Sequence, residues 1–264
     1  MKIFDKISST LKTPVALINT AEAVAATESG VEATDQAVRC SNCEMRNICM
    51  PDGLDASAYA KIDAVICTSK RIAGGDTLYH AGTPFTNLYV VRVGALKTIA
   101  TLPGDLEQIT RFDVSGDALG FDGVYNGIHT SNTIALEDSV VCVIPFHLFE
   151  LLCNEIPVLQ RHLLKTMSGE IVRESRRMLM LSKLRAEQRV IIFLVALSQQ
   201  MKERGYSPSE LNLRMSRQEL ASYLGMKIET VSRSFSRIQC AAVIQIHGRF
   251  VRILDMDRLM ALSL

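Results

Sequence analysis

The sequence predicts an α+β chain in three parts: a β domain, one long helix, and a small helical domain ending in a hairpin. Three observations predict it. Between about Tyr59 and Ile144 the texture is β, with strand-like runs at Leu88-Tyr89-Val90-Val91 and Ser139-Val140-Val141-Cys142-Val143-Ile144. Gly75, Gly82, Gly94, Gly104, Gly116 and Gly120 punctuate it at the spacing of short strands in a sandwich or barrel. After Pro157 the period becomes helical, with Leu159, Leu163, Met167, Ile171, Met178 and Leu181 on one stripe. From residue 185 the segments shorten and a Gly-bearing hairpin follows.

Taken in order, residues 1–39 are rich in Ala, Thr, Ser and Glu and read as a mobile tail. A cysteine-bearing segment spans 40–54, and the β domain spans 55–150. The long helix is placed at 151–184; within it only Gly169 interrupts Val158–Leu184. A narrow apolar seam of that length suits a partner helix, most simply its own copy in a homodimer; the alternative is packing along its own domain. Residues 185–264 open with a helix, Ala186–Arg204, and a turn at Gly205-Tyr206-Ser207-Pro208. Two short helices follow, then the hairpin Val243–Ile246, His247-Gly248, Phe250–Leu254.

Composition narrows the classes. Hydrophobic residues make up 48% and charged residues 22%, an ordinary globular balance that excludes a largely disordered chain. The net charge of +1 hides an asymmetry: residues 185–264 hold 12 basic and 7 acidic side chains, against 17 and 21 in the rest. A basic C-terminal end points to a polyanion partner. No apolar run is long enough to span a membrane. The stretch Val15–Ile18 is too short for a secretion signal and Glu22 breaks it, so a cytoplasmic location is expected. No nucleophile–base pairing or phosphate loop suggests an enzyme.

The C-terminal motif runs Arg217-Gln218-Glu219-Leu220-Ala221-Ser222-Tyr223-Leu224-Gly225-Met226-Lys227-Ile228-Glu229-Thr230-Val231-Ser232-Arg233. Ser216 with Glu219 makes a capping box, Ala221 is small where two helices cross, and Gly225 suits a left-handed turn. This is the spacing of a helix-turn-helix, whose second helix presents Glu229, Ser232, Arg233 and Arg237 to base edges in double-stranded DNA. The competing reading is a helical hairpin with a solvated charged face.

Seven cysteines include Cys40-x-x-Cys43-x5-Cys49, with Cys142 far downstream. An odd number, three of them within ten residues, fits a disulfide framework poorly. Thiolates suit zinc or iron–sulfur, and spacing alone does not separate the two. Cys67, Cys153 and Cys240 read as small core residues.

With these pieces in place the chain resembles the FNR (fumarate and nitrate reduction) regulators, the oxygen-responsive branch of the cyclic-AMP receptor protein superfamily. The resemblance rests on Cys40, Cys43, Cys49 and Cys142, on Gly116-Asp117-x-x-Gly120-Phe121-Asp122, on Ile144-Pro145-Phe146, on Met167-Ser168-Gly169-Glu170-Ile171 and on Glu229-Thr230-Val231-Ser232-Arg233. It implies an N-terminal β-roll like that of cyclic-nucleotide-binding domains, a dimerisation helix and a C-terminal winged helix-turn-helix. It further implies that Cys40, Cys43, Cys49 and Cys142 hold a [4Fe–4S] cluster, which oxygen converts to [2Fe–2S] and then destroys. The cluster-bearing dimer would bind a palindrome resembling TTGAT-N4-ATCAA, contact RNA polymerase, and activate or repress genes of anaerobic metabolism. A zinc- or small-ligand-sensing regulator of the same superfamily is the alternative.

Superfamily members that bind a cyclic nucleotide hold its phosphate with an Arg-Ser or Arg-Thr pair near position 130. This loop reads Asn126-Gly127-Ile128-His129-Thr130-Ser131-Asn132, so no cyclic nucleotide is expected and the loop reads as a surface turn. Glu174 stands where the family usually has Asp, and Glu44 where it has a small polar residue. On the seam, Ile171, Glu174 and Met178 would face the two-fold partner, and paired carboxylates there would oppose dimerisation. Glu174 could instead pair with Arg173, Arg176 or Arg177. Arg204 resembles the position of a polymerase contact, and Val93 occupies one usually held by Ser.

Overall fold

Strand alternation builds the first half of the chain. The computed structural model describes residues 39–66, 68–102, 104 and 106–262, all within one unit spanning 33–264. A short helix α1 (Arg46–Cys49) lies in the cysteine segment, followed by α2 (Ala56–Val65). The strands are β1 (Thr68–Ile72), β2 (Thr77–Tyr79), β3 (Asn87–Val93), β4 (Ala95–Leu102), β5 (Leu106–Val114), β6 (Ala118–Leu119), β7 (Asn132–Ala135) and β8 (Ser139–Pro145). They form two antiparallel sheets, ordered β1-β8-β3-β6 and β2-β7-β4-β5. Leu78, Tyr89, Val91, Leu96 and Val141 fill a core between them.

A sheet strand has two faces, and β8 uses both. Val141 and Val143 turn to that inner core, whereas Cys142 and Ile144 turn to a second core with Cys40, Ile62, Ile66, Leu88, Phe149 and Leu152. This outer core holds α2, α3 (Phe146–Glu155) and the first turn of α4 (Pro157–Lys183) against the roll.

Two expected boundaries are corrected. The β texture does not begin at Tyr59, which lies in α2; Asp55 caps that helix by accepting from the Ala58 amide at 2.7 Å. The long helix does not begin at residue 151. Ile156 is extended (φ −123°, ψ 89°) because a residue before proline is pushed out of the helical region, and Pro157 then starts α4 at a position that needs no amide donor.

The C-terminal domain comprises α5 (Ala186–Glu203), β9 (Glu210–Asn212), α6 (Arg217–Tyr223), α7 (Ile228–Cys240), β10 (Ile244–His247), β11 (Phe250–Ile253) and α8 (Met256–Ala261). Val190, Ile191, Leu194, Leu220, Val231 and Ile238 make its core, and β10-β11-β9 form the wing sheet. The domain docks on the roll. Phe112 of β5 packs on Tyr223, with ring centroids 5.2 Å apart. The Ile109 amide donates to Ser222 Oγ at 3.0 Å, and Lys97 of β4 pairs with Glu219 at 2.7 Å. Among the described residues no helix is long and apolar enough to cross a membrane. The expected tail, save Arg39, and Cys67 lie outside the described residues.

Candidate functional site

The four cysteines named from spacing come together. Cys40, Cys43, Cys49 and Cys142 line one cavity, walled by Met45, Met50, Ile66, Val90 and Ile144. The local chain explains the convergence. Cys43 N–H donates to Cys40 O at 3.3 Å, and Cys49 N–H donates to Met45 O at 3.0 Å, which coils the segment into tight turns. Ser41 anchors it on α2, donating from its amide (3.2 Å) and hydroxyl (2.5 Å) to Asp63. Cys142 faces Ser69 of β1 and Val90 of β3 across the ladders, which sets it on the outer face of the sheet.

Burial keeps Cys40, Cys49 and Cys142 neutral. It pushes Cys40 and Cys49 up to about 12, with neighbouring thiols and, for Cys40, Asp63 adding to the rise. Cys142 rises to about 11, again mainly by burial. Buried, mutually repelling sulfurs ionise together only around a compensating cation, so the donor set fits a thiolate-bound metal group. Yet among the described residues no three His, Cys, Asp or Glu side chains are grouped so as to hold a single metal ion.

The segment also meets two other parts of the chain. His162 of α4 is placed to hydrogen-bond the Cys49 backbone. On the other side, Gly116 (φ 95°) admits Ile48 so closely that a Cβ there would stand 2.6 Å from Ile48 Cγ2.

On α7, Val231, Ser234, Phe235 and Ile238 are buried and Glu229, Ser232, Arg233 and Arg237 are exposed, so the four expected base readers share the solvent face. The predicted capping box is present: Glu219 N–H donates to Ser216 Oγ at 3.2 Å, and Ser216 N–H donates to Glu219 at 2.7 Å. Arg217 lies over the Phe235 ring at 3.8 Å, tying α6 to α7. On α4, Ile171 and Met178 are 68% and 66% exposed, and Leu164, Val172 and Leu179 are exposed beside them. Glu174 pairs with Arg177 of its own helix at 3.0 Å.

Three expectations are corrected. Arg204 is not presented to solvent: its side chain is 7% exposed and pairs with Asp117 at 2.7 Å. Cys240 is not a core residue, since it is exposed at the end of α7, whereas Cys153 is buried as expected. The loop at Thr130 is no simple surface turn. Asp122 accepts from the Thr130 amide (2.8 Å), the Ser131 amide (3.2 Å) and the Ser131 hydroxyl (2.9 Å), and it meets buried His129 at 3.2 Å. The donors that would face a phosphate are taken by a carboxylate.

Sequence reasoning missed a second polar group. Arg111 of β5 contacts buried Asp113 and Glu170 of α4, and donates to Ala118 O at 3.0 Å. A charged triplet spread over residues 111, 113 and 170 leaves no local signal.

Two family models match the chain: a cyclic nucleotide-binding domain over residues 69–155 and a Crp-like helix-turn-helix domain over residues 188–262. The fumarate and nitrate reduction regulatory protein of Salmonella typhimurium is 37% identical over 86% of this chain and 91% of its own length. The anaerobic regulatory protein of Pasteurella multocida is 36% identical over 86% of this chain and 83% of its own. Among solved structures, FixK2 from Bradyrhizobium japonicum superposes with a TM-score of 0.68 at 25% identity, covering 75% of this chain and 97% of that one.

Proposed function

Because the chain belongs to the FNR family of DNA-binding transcription regulators within the cyclic-AMP receptor protein superfamily, and not to an enzyme family, we propose that it senses oxygen through a [4Fe–4S] cluster held by Cys40, Cys43, Cys49 and Cys142. The observation that carries this is the single cavity lined by those four thiols, three from one short segment and one from β8. Four soft thiolate donors around one apolar-walled cavity suit an iron–sulfur group. When bound there, such a cluster supplies a redox centre that oxygen dismantles.

The rest is done by the chain's own residues. Residues 40–49 are coiled onto α2 and, through His162, onto α4, so order in the thiol segment supports the helix whose exposed Ile171 and Met178 need a second copy. In the homodimer Glu174 approaches its two-fold mate, and Arg177 relieves only part of that repulsion. Paired recognition helices read a palindrome resembling TTGAT-N4-ATCAA, with Arg233 donating to guanine and Glu229 accepting from cytosine. RNA polymerase is met by the exposed β-domain surface around Val93. With the Thr130 and Ser131 donors taken by Asp122, no cyclic nucleotide is called for as the signal. A DNA partner places the protein in the cytoplasm, regulating genes of anaerobic metabolism.

The test is purification under nitrogen with assays of iron, acid-labile sulfide and zinc, followed by air. Equal iron and sulfide, a broad visible band and its loss in air are the expected result. A colourless protein with one zinc overturns the proposal.

A further inference from the structure

The segment Cys40–Cys49 carries three thiols and is too short to build a core of its own, so the place of each thiol depends on what the segment is tied to. The ties converge on Ser41. Cys40–Asn42 form a single 3-10 turn, and Arg39 before it supplies no side-chain cap. The Ser41 amide is one of the donors that the start of such a turn leaves without a partner inside the turn. Asp63 of α2 takes it, accepting from the Ser41 N–H at 3.2 Å on Oδ1 and from the Ser41 hydroxyl at 2.5 Å on Oδ2. The Ser41 carbonyl accepts from Arg46 Nη1 at 2.9 Å. Arg46 opens α1, which ends at Cys49, and it lines the cavity of the four thiols. Its guanidinium lies over the ring of Tyr59, 5.6 Å from the centroid. The amide, hydroxyl and carbonyl of Ser41 are thus all engaged, and both lines of contact end on α2.

The place of Asp63 is not explained by α2 itself. It lies in the last turn of that helix, where the negative end of the helix dipole disfavours a carboxylate. Its neighbour Ile62 is fully buried in the outer core that also holds Cys40 and Cys153, so the backbone that carries Asp63 is fixed. An acid kept at a cost to its own helix, with both oxygens on the residue after Cys40, is a cap supplied from outside the turn.

We propose that Asp63 is a positioning residue for the thiol site: it caps the Cys40–Asn42 turn from α2 and, with Arg46, sets Cys40, Cys43 and Cys49 around their cavity before any group is bound. What the thiols hold rests on the cluster reading above; how they are held does not. A segment arranged in advance loses less freedom on binding, so the bonds of Ser41 govern how firmly iron and sulfide are kept.

Two variants separate the bonds from the charge. Asp63→Leu keeps the size of the side chain and accepts no hydrogen bond. Asp63→Asn keeps both bonds, because the Ser41 hydroxyl can turn from donor to acceptor and receive the side-chain amide. The first readout uses the full chain free of iron: the rate of alkylation by iodoacetamide at each cysteine, followed by peptide mass spectrometry. Asp63→Leu should speed reaction at Cys40 and Cys43 about tenfold, the loss of a charge-assisted hydrogen bond, and Asp63→Asn should stay within about threefold of the parent. Cys153, in the same outer core, should react at the parent rate in both. The second readout is iron release to a chelator from anaerobically loaded protein, about tenfold faster in Asp63→Leu with the visible band unshifted, since the ligands are unchanged. Equal alkylation in the parent and Asp63→Leu overturns the inference. So does acceleration of Cys153 alongside Cys40, which would mean that α2 itself had come loose. Asp63→Asn reacting as fast as Asp63→Leu also overturns it, because charge rather than bonding would then be the agent. Ser41→Ala covers a leucine variant that fails to fold: it leaves α2 untouched, removes the hydroxyl bond and should accelerate Cys40 and Cys43, and parent rates there refute the cap. A parent that takes up neither iron nor sulfide overturns the cluster reading, while the alkylation rates still decide the role of Asp63.

Discussion

Replacing Arg111 with Met should produce a stability loss that grows with pH. Arg111 is largely buried and lies against Asp113, whose side chain is fully buried, while also donating to Ala118 O. Burial pushes the Asp113 carboxyl up to about 7; Arg111 and the Thr98 hydroxyl pull it down, and Asp117 pushes it further up. A carboxyl whose folded value exceeds its unfolded one favours the fold at low pH, and that contribution is lost as pH rises from about 4 toward the folded value. In the parent this decline ends near 7. Without Arg111 the folded value climbs higher, so the variant continues to lose stability where the parent has levelled off. Below that point the loss is about 2 kcal/mol, the worth of a charge-assisted hydrogen bond to Ala118 O, because Glu170 retains Arg173. Above it, the gap widens by about 1.4 kcal/mol per pH unit toward the roughly 3–5 kcal/mol of an unpaired buried charge. Urea unfolding of apo-protein from about pH 6 to about pH 9 measures it, and the thiols cancel because both proteins carry them. The double variant Arg111→Met/Asp113→Asn should lose the pH-dependent part. A gap that stays constant across this range would refute the reasoning.

Cys142→Ser should abolish both iron binding and anaerobic reporter activation, whereas Cys153→Ser, buried away from the cavity, should leave both intact; a full cluster in Cys142→Ser would remove the fourth ligand from the scheme. Glu174→Ala should raise the dimer fraction of apo-protein in analytical ultracentrifugation, by less than a naked carboxylate pair would because Arg177 already offsets each charge, and no rise at all would discharge Glu174 from the balance. Arg233→Ala should cost roughly 1–3 kcal/mol per half-site and nearly erase specific binding while leaving weak, salt-sensitive binding. Glu229→Ala should relax preference at one base pair, read on half-sites varied one position at a time, and a uniform loss with unchanged ranking would mean that it reads no base.

What the sequence made legible was local or periodic. The capping box at Ser216 and Glu219, the seam of α4 and the three close cysteines each announce themselves within a few residues. Cys142 was placed by resemblance, since nothing in a strand sequence says which face meets a segment a hundred residues away; the pairing of β8 between β1 and β3 decides it. The change of period after Pro157 was readable and matches the start of α4, although the domain limit at 151 took in α3 as well. Arg204 shows the opposite failure. Its place on a contact surface came from resemblance alone, and only the tertiary fold supplies Asp117 from a turn 87 residues earlier. Ion pairs between distant segments, such as Arg111 with Glu170, obey no period and stay silent until the chain is folded.

On the proposed reading, one scaffold has changed the door through which its signal enters. In a nucleotide-gated relative, the phosphate loop and the interior of the roll receive the ligand. Here the interior holds Tyr79 stacked on His129 at 3.9 Å, and Asp122 closes the loop with bonds from Thr130 and Ser131. That carboxylate brings negative charge to the place where a phosphate would need positive charge, so a nucleotide would have to displace a satisfied network and meet repulsion as well. The outer face of β8 offers what the interior no longer does. There Cys142 meets a segment that rests on α2, touches α4 through His162 and packs with Ile48 on Gly116. Both entrances act on the same two outputs, the dimer helix and the DNA-binding domain.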